Sequence, residues 1–295
     1  MRGIIFRGDC KLEIATVPDP TPGPGEVVVE IKASGMCGSD LHFYRAPANP
    51  GPAPVIRGHE PCGVVAAVGP GVTHPYARVG ARVMVHHYAG CTGCEHCHSG
   101  WPQMCEEQKV VVYGSDEHGA HAPFMKVPAA TLIPLDERLS FAAGAAISCG
   151  TGTAWGAFER MDISGRDTIA IFGQGPVGLS ATLLAKAQGA RVIALDLDEG
   201  RLAAAKAAGA DFIVNSREKD VPGAIRDLTG GGATMALETA GVRQAGMDAI
   251  QSVRPWGTIC LVGLGAELSF SLAENLRRQL KIVTSWTMWL PGQKA

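Results

Sequence analysis

Between Met36 and Glu60 the chain sets out a thiol (Cys37), a hydroxyl (Ser39), a carboxylate (Asp40) and an imidazole (His42). After a proline-rich loop come His59 and Glu60. A thiolate and an imidazole from separate segments can hold Zn2+ if a third ligand arrives from elsewhere and one position stays open. An open zinc beside a hydroxyl can bind an alcohol oxygen and lower its pKa, because the cation stabilises the alkoxide. Taken alone, such a pair is more often a buried thiol and a satisfied core histidine. The rest of the chain weighs against that bland reading.

Cys91-x2-Cys94-x2-Cys97-x7-Cys105 places four thiols within a single short segment. Four thiolates fit a closed tetrahedral structural zinc site, which leaves no position for chemistry. An iron–sulfur cluster, whose usual spacings differ, and disulfides are the alternatives. His96 and His98 read as solvated loop residues, since four cysteines already fill a tetrahedron. Metal binding at such a lobe stabilises its loop, so a chelator should loosen it before altering bond-making.

A third pattern is Gly173-Gln174-Gly175-Pro176-Val177-Gly178. Bare glycine spacing is weak, but here it follows the apolar run TIAIF, opens a helical stretch, and precedes a second apolar run ending at Asp196. Gly173 permits a tight turn, Gly175 lets the backbone approach a pyrophosphate, and Gly178 allows close packing of helix on sheet. The helix N-terminus offers free N–H groups and partial positive charge to phosphates. Asp196 stands where a carboxylate accepts hydrogen bonds from the adenosine ribose. With Asp198 close by, it disfavours a 2′-phosphate, so NAD is expected over NADP. Arg201 reads either as a ribose-edge contact or as a solvated helix arginine.

The elements that must position these groups change character along the chain. At 295 residues, about two domains are expected. Residues 1–35 read as strands with a tight Gly8–Asp9 turn and a stiff loop at Pro18–Gly25. Pro47–Pro54 cannot be helix, Pro61–Val72 reads as a buried strand ending in a turn, and ARVMVHHY reads as the next strand. From about Ile163, six short apolar runs (TIAIFG, RVIALD, FIVN, MALETA, TICLVG and KIVTSW) are mostly separated by helical stretches. That alternation implies a parallel, doubly wound sheet.

A hydrophobic content of 46%, 18% charged residues and a net charge of −2 fit a globular protein without general attraction to nucleic acid or acidic membranes. The N-terminus has no signal-peptide h-region. The uncharged stretch Leu139 to Phe158 is too rich in small and polar residues for a membrane span and reads as buried helix and loop. Nine cysteines without a secretory signal point to metal sites and a cytoplasmic location. Cys10, Cys62 and Cys260 read as packing thiols. His86, His87, His118 and His121 read as strand-end or pocket-rim residues rather than zinc ligands.

Together these pieces resemble the zinc-containing alcohol dehydrogenases of the medium-chain dehydrogenase/reductase family. The carrying residues are Cys37-Gly38-Ser39-Asp40-x-His42, Gly58-His59-Glu60-x2-Gly63-x5-Gly69-x2-Val72, the four-cysteine lobe and Gly173–Gly178. The resemblance implies an N-terminal GroES-like, mostly β catalytic domain over residues 1–150 and an NAD-binding Rossmann domain over 151–295. It implies Cys37, His59 and Cys149 as catalytic zinc ligands, Glu60 as a transient one, and Cys91, Cys94, Cys97 and Cys105 around a structural zinc. Asp40 would orient His59, and Ser39, the cofactor ribose and His42 would relay the alcohol proton to solvent. Thr153 and Val177 would flank the nicotinamide.

The implied activity is reversible, NAD-dependent oxidation of an alcohol or polyol to an aldehyde or ketone. Two zinc ions per chain and a homodimer or homotetramer are implied with it. A cysteine at position 149, where polyol-oxidising relatives tend to carry glutamate, leans toward simple alcohols. One departure is expected: the chain stops after the sixth Rossmann strand, without the family's return to the first domain. An NAD-binding protein with little or no turnover is therefore the alternative. A zinc-free reductase of the same superfamily is disfavoured by Cys37, His59 and the four-cysteine lobe together.

Overall fold

The computed structural model describes residues 1–48, 55–217 and 220–294; most of the proline-rich loop Pro47–Pro54 therefore lies outside the described residues. The chain forms two units, Met1–Gly152 with Trp289–Ala295, and Thr153–Met288.

In the first unit, β1 (Arg2–Gly8) and β2 (Lys11–Thr16) form an antiparallel hairpin. Its turn residues are Asp9 and Cys10, with φ of 49° and 58°, the paired left-handed conformation that matches strand twist. The turn thus sits one residue beyond the expected Gly8–Asp9, and it leaves Cys10 exposed rather than packed. β3 (Glu26–Gly35), α1 (Gly38–Arg45), β4 (Glu60–Val68) and β5 (Arg82–Val85) follow, then β6 (Tyr88–Ala89) and the one-turn α2 (Glu95–His98). Short strands β7 (Val111–Val112), β8 (Phe124–Pro128) and β9 (Leu132–Pro134) precede α3 (Phe141–Ala146).

A five-stranded antiparallel sheet, β8-β3-β4-β5-β9, buries Val27, Val29, Val65, Val83, Met125 and Val127 in one core. ARVMVHHY is not one strand: His86 and His87 interrupt it between β5 and β6. They are 2% and 3% exposed, so they are core residues rather than pocket rim. The uncharged stretch from Leu139 contains α3, a π-turn at Ile147–Thr151, and then α4 (Gly152–Met161).

The second unit carries β10 (Thr168–Phe172), α5 (Pro176–Ala187), β11 (Arg191–Asp196), α6 (Glu199–Ala207) and β12 (Phe212–Asn215). α7 (Val221–Thr229), β13 (Ala233–Glu238), α8 (Arg243–Ser252), β14 (Val253–Leu261), α9 (Leu272–Asn275) and β15 (Lys281–Thr284) complete it. All six expected apolar runs are strands, paired in parallel in the order β12-β11-β10-β13-β14-β15. Ile169, Ala170, Ile171 and Phe172 are all buried because both faces of β10 are covered. One face packs against a cluster including Phe158, Ala181 and Ala185, the other against Val221, Ile225 and Ala249. Strand order reverses between β10 and β13, where such sheets open a crevice at their carboxyl ends.

From Trp289 onward the chain belongs to the first unit, not to the second, where its apolar pattern ends. No helix among the described residues is long and apolar enough to cross a membrane.

Candidate active site and metal centres

The register of β3 on β4 brings the first cluster together. Gly35 pairs with Glu60, so the residues just beyond β3 and those that open β4 lie side by side. Cys37 caps α1, and its backbone N–H donates to Asp40 Oδ2 at 2.9 Å. The other Asp40 oxygen lies 3.2 Å from His59 Nδ1, which turns His59 Nε2 toward Cys37. Ser39 Oγ is 3.5 Å from that Nε2. The π-turn after α3 delivers Cys149, with its Sγ 3.9 Å from Cys37 Sγ. One ligand atom from each of Cys37, His59, Glu60 and Cys149 lies within 4.8 Å of all the others.

The electrostatics of this cluster call for a cation. The Cys149 contact lowers the Cys37 thiol to about 3, with help from His59 and Ser39 against the cost of burial. Cys149 is pushed far up by Cys37 and by burial. Two thiols share one buried place, and only one ionises readily without compensation. Burial would lower His59, but its hydrogen bonds to Asp40 and Cys37 raise it to about 10. Burial and the Cys37 charge raise Glu60 to about 7, and Glu60 Oε1 is buried without a partner. A divalent cation among these groups would satisfy all of them at once. Tetrahedral zinc with Zn–S of about 2.3 Å sets S–S edges of about 3.8 Å, close to the separation found. That separation is also far beyond a disulfide bond of about 2.05 Å. The residues fit zinc.

The four-cysteine lobe passes the same test. Cys91, Cys94, Cys97 and Cys105 lie within 4.8 Å of one another. Cys91 and Cys97 sulfurs are 3.9 Å apart, as are those of Cys94 and Cys105. Those separations are far beyond a disulfide bond of about 2.05 Å. Backbone amides of Gly93 and Cys94 donate to Cys91 Sγ, and that of Cys91 donates to Cys105 Sγ. Amides aimed at sulfur favour thiolates. His96 and His98 sit on α2 rather than in a loop, because the turn needed to bring Cys94 and Cys97 together is helical. Neither belongs to the donor set.

In the second unit, Gly173 follows β10 with φ of 90°, and a Cβ on Gly178 would lie 1.8 Å from the Gly173 carbonyl oxygen. A Cβ on Gly175 would meet nothing, so the loop is open there. Asp196 Oδ2 accepts from the Gln174 N–H at 2.6 Å, and Oδ1 accepts from the Leu197 and Asp198 amides. Arg201 Nη1 lies 3.7 Å from Asp196. Val177 is partly buried in the first turn of α5, packed against the core. Thr153 is buried near the start of α4. His42 is exposed on α1.

Several residues at these sites carry no sequence signal. Gln174 is buried, with its Nε2 donating to Ile171 O and its Oε1 accepting from Thr182, and so fixes the glycine loop. His87 packs edge-on against His59, ring centroids 4.9 Å apart. Gln293 reaches His86 and the Ser148 carbonyl. His118 Nδ1 accepts from the Ile56 amide, and His121 Nδ1 lies 2.9 Å from Ser34 Oγ.

A sulfur-rich lobe, a mixed thiol–imidazole cluster and a glycine loop on a parallel sheet define a two-unit, metal-binding dehydrogenase. Residues 23–137 match the alcohol dehydrogenase GroES-like domain, and residues 176–291 match the zinc-binding dehydrogenase domain. An uncharacterized zinc-type alcohol dehydrogenase-like protein of Escherichia coli is 37% identical over 95% of this chain and 82% of its own. An alcohol dehydrogenase of Geobacillus stearothermophilus is 35% identical over 93% of this chain and 81% of its own. The crystal structure of an NAD-dependent alcohol dehydrogenase superposes with a TM-score of 0.87 at 32% identity, covering 98% of this chain and 85% of that one. The chain belongs to the zinc-containing alcohol dehydrogenases of the medium-chain dehydrogenase/reductase family. It is a zinc-dependent oxidoreductase with a GroES-like first domain and a Rossmann second domain, and a binding protein without turnover is not favoured.

Proposed function

We propose that this enzyme reversibly oxidises an alcohol or polyol to an aldehyde or ketone, with hydride passing to NAD. The observation that carries the reading is the buried donor set Cys37, His59 and Cys149, with Glu60 and the Ser39 hydroxyl beside it. Zinc held there supplies a Lewis acid that lowers the pKa of an alcohol hydroxyl, and NAD supplies the hydride acceptor.

The remaining chemistry falls to the chain's own groups. Asp40 fixes the His59 tautomer by accepting from Nδ1–H, which leaves Nε2 as the ligand. Glu60, with one oxygen unpartnered, is the donor available when ligands exchange. Ser39 Oγ would take the substrate's hydroxyl proton, and exposed His42 would return a proton to solvent. The amides of the Gly173–Gly178 loop and the start of α5 receive the pyrophosphate. Asp196 has an acceptor position left on Oδ2 that would serve the adenosine ribose, with Arg201 at its edge, and Thr153 and Val177 would flank the nicotinamide.

The two clusters support a count of two zinc ions per chain, the second of which Cys91, Cys94, Cys97 and Cys105 would hold. The catalytic domain comprises residues 1–152 with 289–295 and the NAD-binding domain residues 153–288, and the enzyme works in the cytoplasm as a homodimer or homotetramer.

The test is metal content together with NADH formation over a panel of alcohols and polyols, for the native protein and for Cys37→Ala. Two zincs per native chain with turnover, and lost turnover with near-native NAD binding in Cys37→Ala, are expected. Full turnover in Cys37→Ala, or none from metal-replete native protein with any substrate, would refute the proposal.

A further inference from the structure

A buried polar chain crosses the first unit and ends beside Cys149. His86 Nδ1 lies 2.8 Å from Gln293 Oε1, and Gln293 Nε2 donates to the Ser148 carbonyl at 3.3 Å. At the other end of the ring, His86 Nε2 is 3.4 Å from Gln103 Oε1. Gln103, His86, Ser148 and Gln293 are each no more than 6% exposed.

The direction of the chain follows from the donors available. Burial holds His86 below its ordinary pKa, so the ring is neutral and has one hydrogen to give. With Nδ1–H donating to Gln293 Oε1 at 2.8 Å, Nε2 carries no hydrogen for Gln103 Oε1, so the bond to Gln293 is the ring's one donated link. The donated links then run one way, from His86 through Gln293 to Ser148. Links of one sense reinforce each other in a low-dielectric interior.

Both ends of this chain touch metal-cluster segments. Gln103 stands two residues before Cys105, and the Leu290 amide donates to the Gly100 carbonyl at 2.8 Å, inside the same lobe. Ser148 precedes Cys149, and its hydroxyl, with one hydrogen to share between them, lies 2.9 Å from Pro61 O and 3.0 Å from Gly144 O. Pro61 follows Glu60. Ser148 therefore ties the π-turn to the start of β4, where Glu60 follows His59, and Gln293 holds the Ser148 carbonyl. A π-turn is a weak helical segment that recurs at functional sites, and here it depends on an outside group to set its carbonyl.

We propose that Gln293 is a positioning residue that, through His86 and Ser148, fixes Cys149 relative to the four-cysteine lobe. The proposal rests on the reading that Cys37, His59 and Cys149 hold a metal. Gln293 touches neither metal nor substrate and acts only by limiting where the Cys149 sulfur can stand.

The experiment compares native protein, Gln293→Met and Gln293→Glu, each loaded with cobalt(II). Methionine keeps the volume and breaks both bonds; glutamate accepts from His86 but cannot donate to Ser148. Absorption of cobalt bound to thiolates and histidine is recorded, and metal release to a coloured chelator is timed. Gln293→Met should release metal from the Cys37 cluster about tenfold faster than native protein, at the low end for residues behind a metal ligand. Its cobalt ligand-field bands should shift, and release from the four-cysteine lobe should be unchanged. Gln293→Glu should fall between the two in rate.

Native spectra and release kinetics in both variants would overturn the proposal. Loss of folded protein in both variants, by circular dichroism, would overturn it too, because Gln293 would then hold the fold and not the cysteine. Native protein that binds no cobalt outside the lobe would instead refute the metal reading on which the proposal stands.

Discussion

Replacing Asp40 by asparagine tests how tightly the first cluster depends on groups behind its ligands. Asp40 is 1% exposed, and its two oxygens face two donors, the Cys37 amide at 2.9 Å and His59 Nδ1 at 3.2 Å. Asparagine has the same shape but one oxygen and one NH2. If its oxygen stays on the Cys37 amide, its NH2 meets His59 Nδ1. The ring must then accept at Nδ1 and carry its hydrogen on Nε2, the nitrogen facing Cys37. If the amide turns round, the Cys37 N–H loses its acceptor at the cap of α1. Either way one charge-assisted hydrogen bond is lost, about 1.5–3 kcal/mol. At about 1.4 kcal/mol per factor of ten, metal affinity at the Cys37 cluster should fall by about 10–100-fold.

The assay is competition with a chelator of known affinity, and the four-cysteine lobe serves as the internal reference. Asp40 touches nothing in that lobe, so its metal should be retained as in native protein. Affinity at the Cys37 cluster within about twofold of native would refute the account of His59 orientation, since a neutral amide cannot serve both donors.

Other perturbations have equally definite outcomes. Gly178→Ala places a Cβ against the Gly173 carbonyl oxygen, which is backbone and cannot swing aside; thermal unfolding should show a loss of about 1–3 kcal/mol, with weaker NAD binding. Metal binding at the Cys37 cluster should release protons, because Cys149 is held protonated above the ordinary thiol range and must ionise to bind. Apparent affinity should therefore rise with pH, by up to about tenfold per unit for each proton released, and calorimetry in buffers of different ionisation enthalpy reads the proton count directly. His42→Gln should move the pH profile of kcat more than it lowers the maximum rate, and an unchanged profile would remove His42 from the proton path.

Much of the fold is legible because its signals are local. Six apolar runs separated by helical stretches specify parallel strands buried on both faces, and all six form one sheet. The four lobe cysteines lie so close in sequence that one helical turn and a short loop suffice to gather them. Gly173, Gly175 and Gly178 are likewise set by the geometry of one strand-to-helix turn, where a side chain would strike a carbonyl at Gly178 and nothing at Gly175.

Where the sequence misled, packing overrode a local pattern. ARVMVHHY alternates like a strand, yet His86 and His87 leave the ladder because their rings bond and stack within the first unit's core. Cys10 looked like a small packing thiol, but a hairpin turn that needs two left-handed residues sets it in solvent. The final residues carry no apolar period to announce a docking partner, and their place in the first unit rests on individual contacts by Leu290 and Gln293.

The sequence by itself determined the kinds of ligand available, the parallel sheet and the glycine loop, because each depends on residues within a few positions of one another. Only the tertiary structure decided that Cys149 stands 3.9 Å from Cys37 across 112 positions, and that Gln293 bonds His86 across 207. No propensity or spacing reaches over such distances. Strand register and core packing alone fix where distant side chains converge, and both are properties of the whole folded unit.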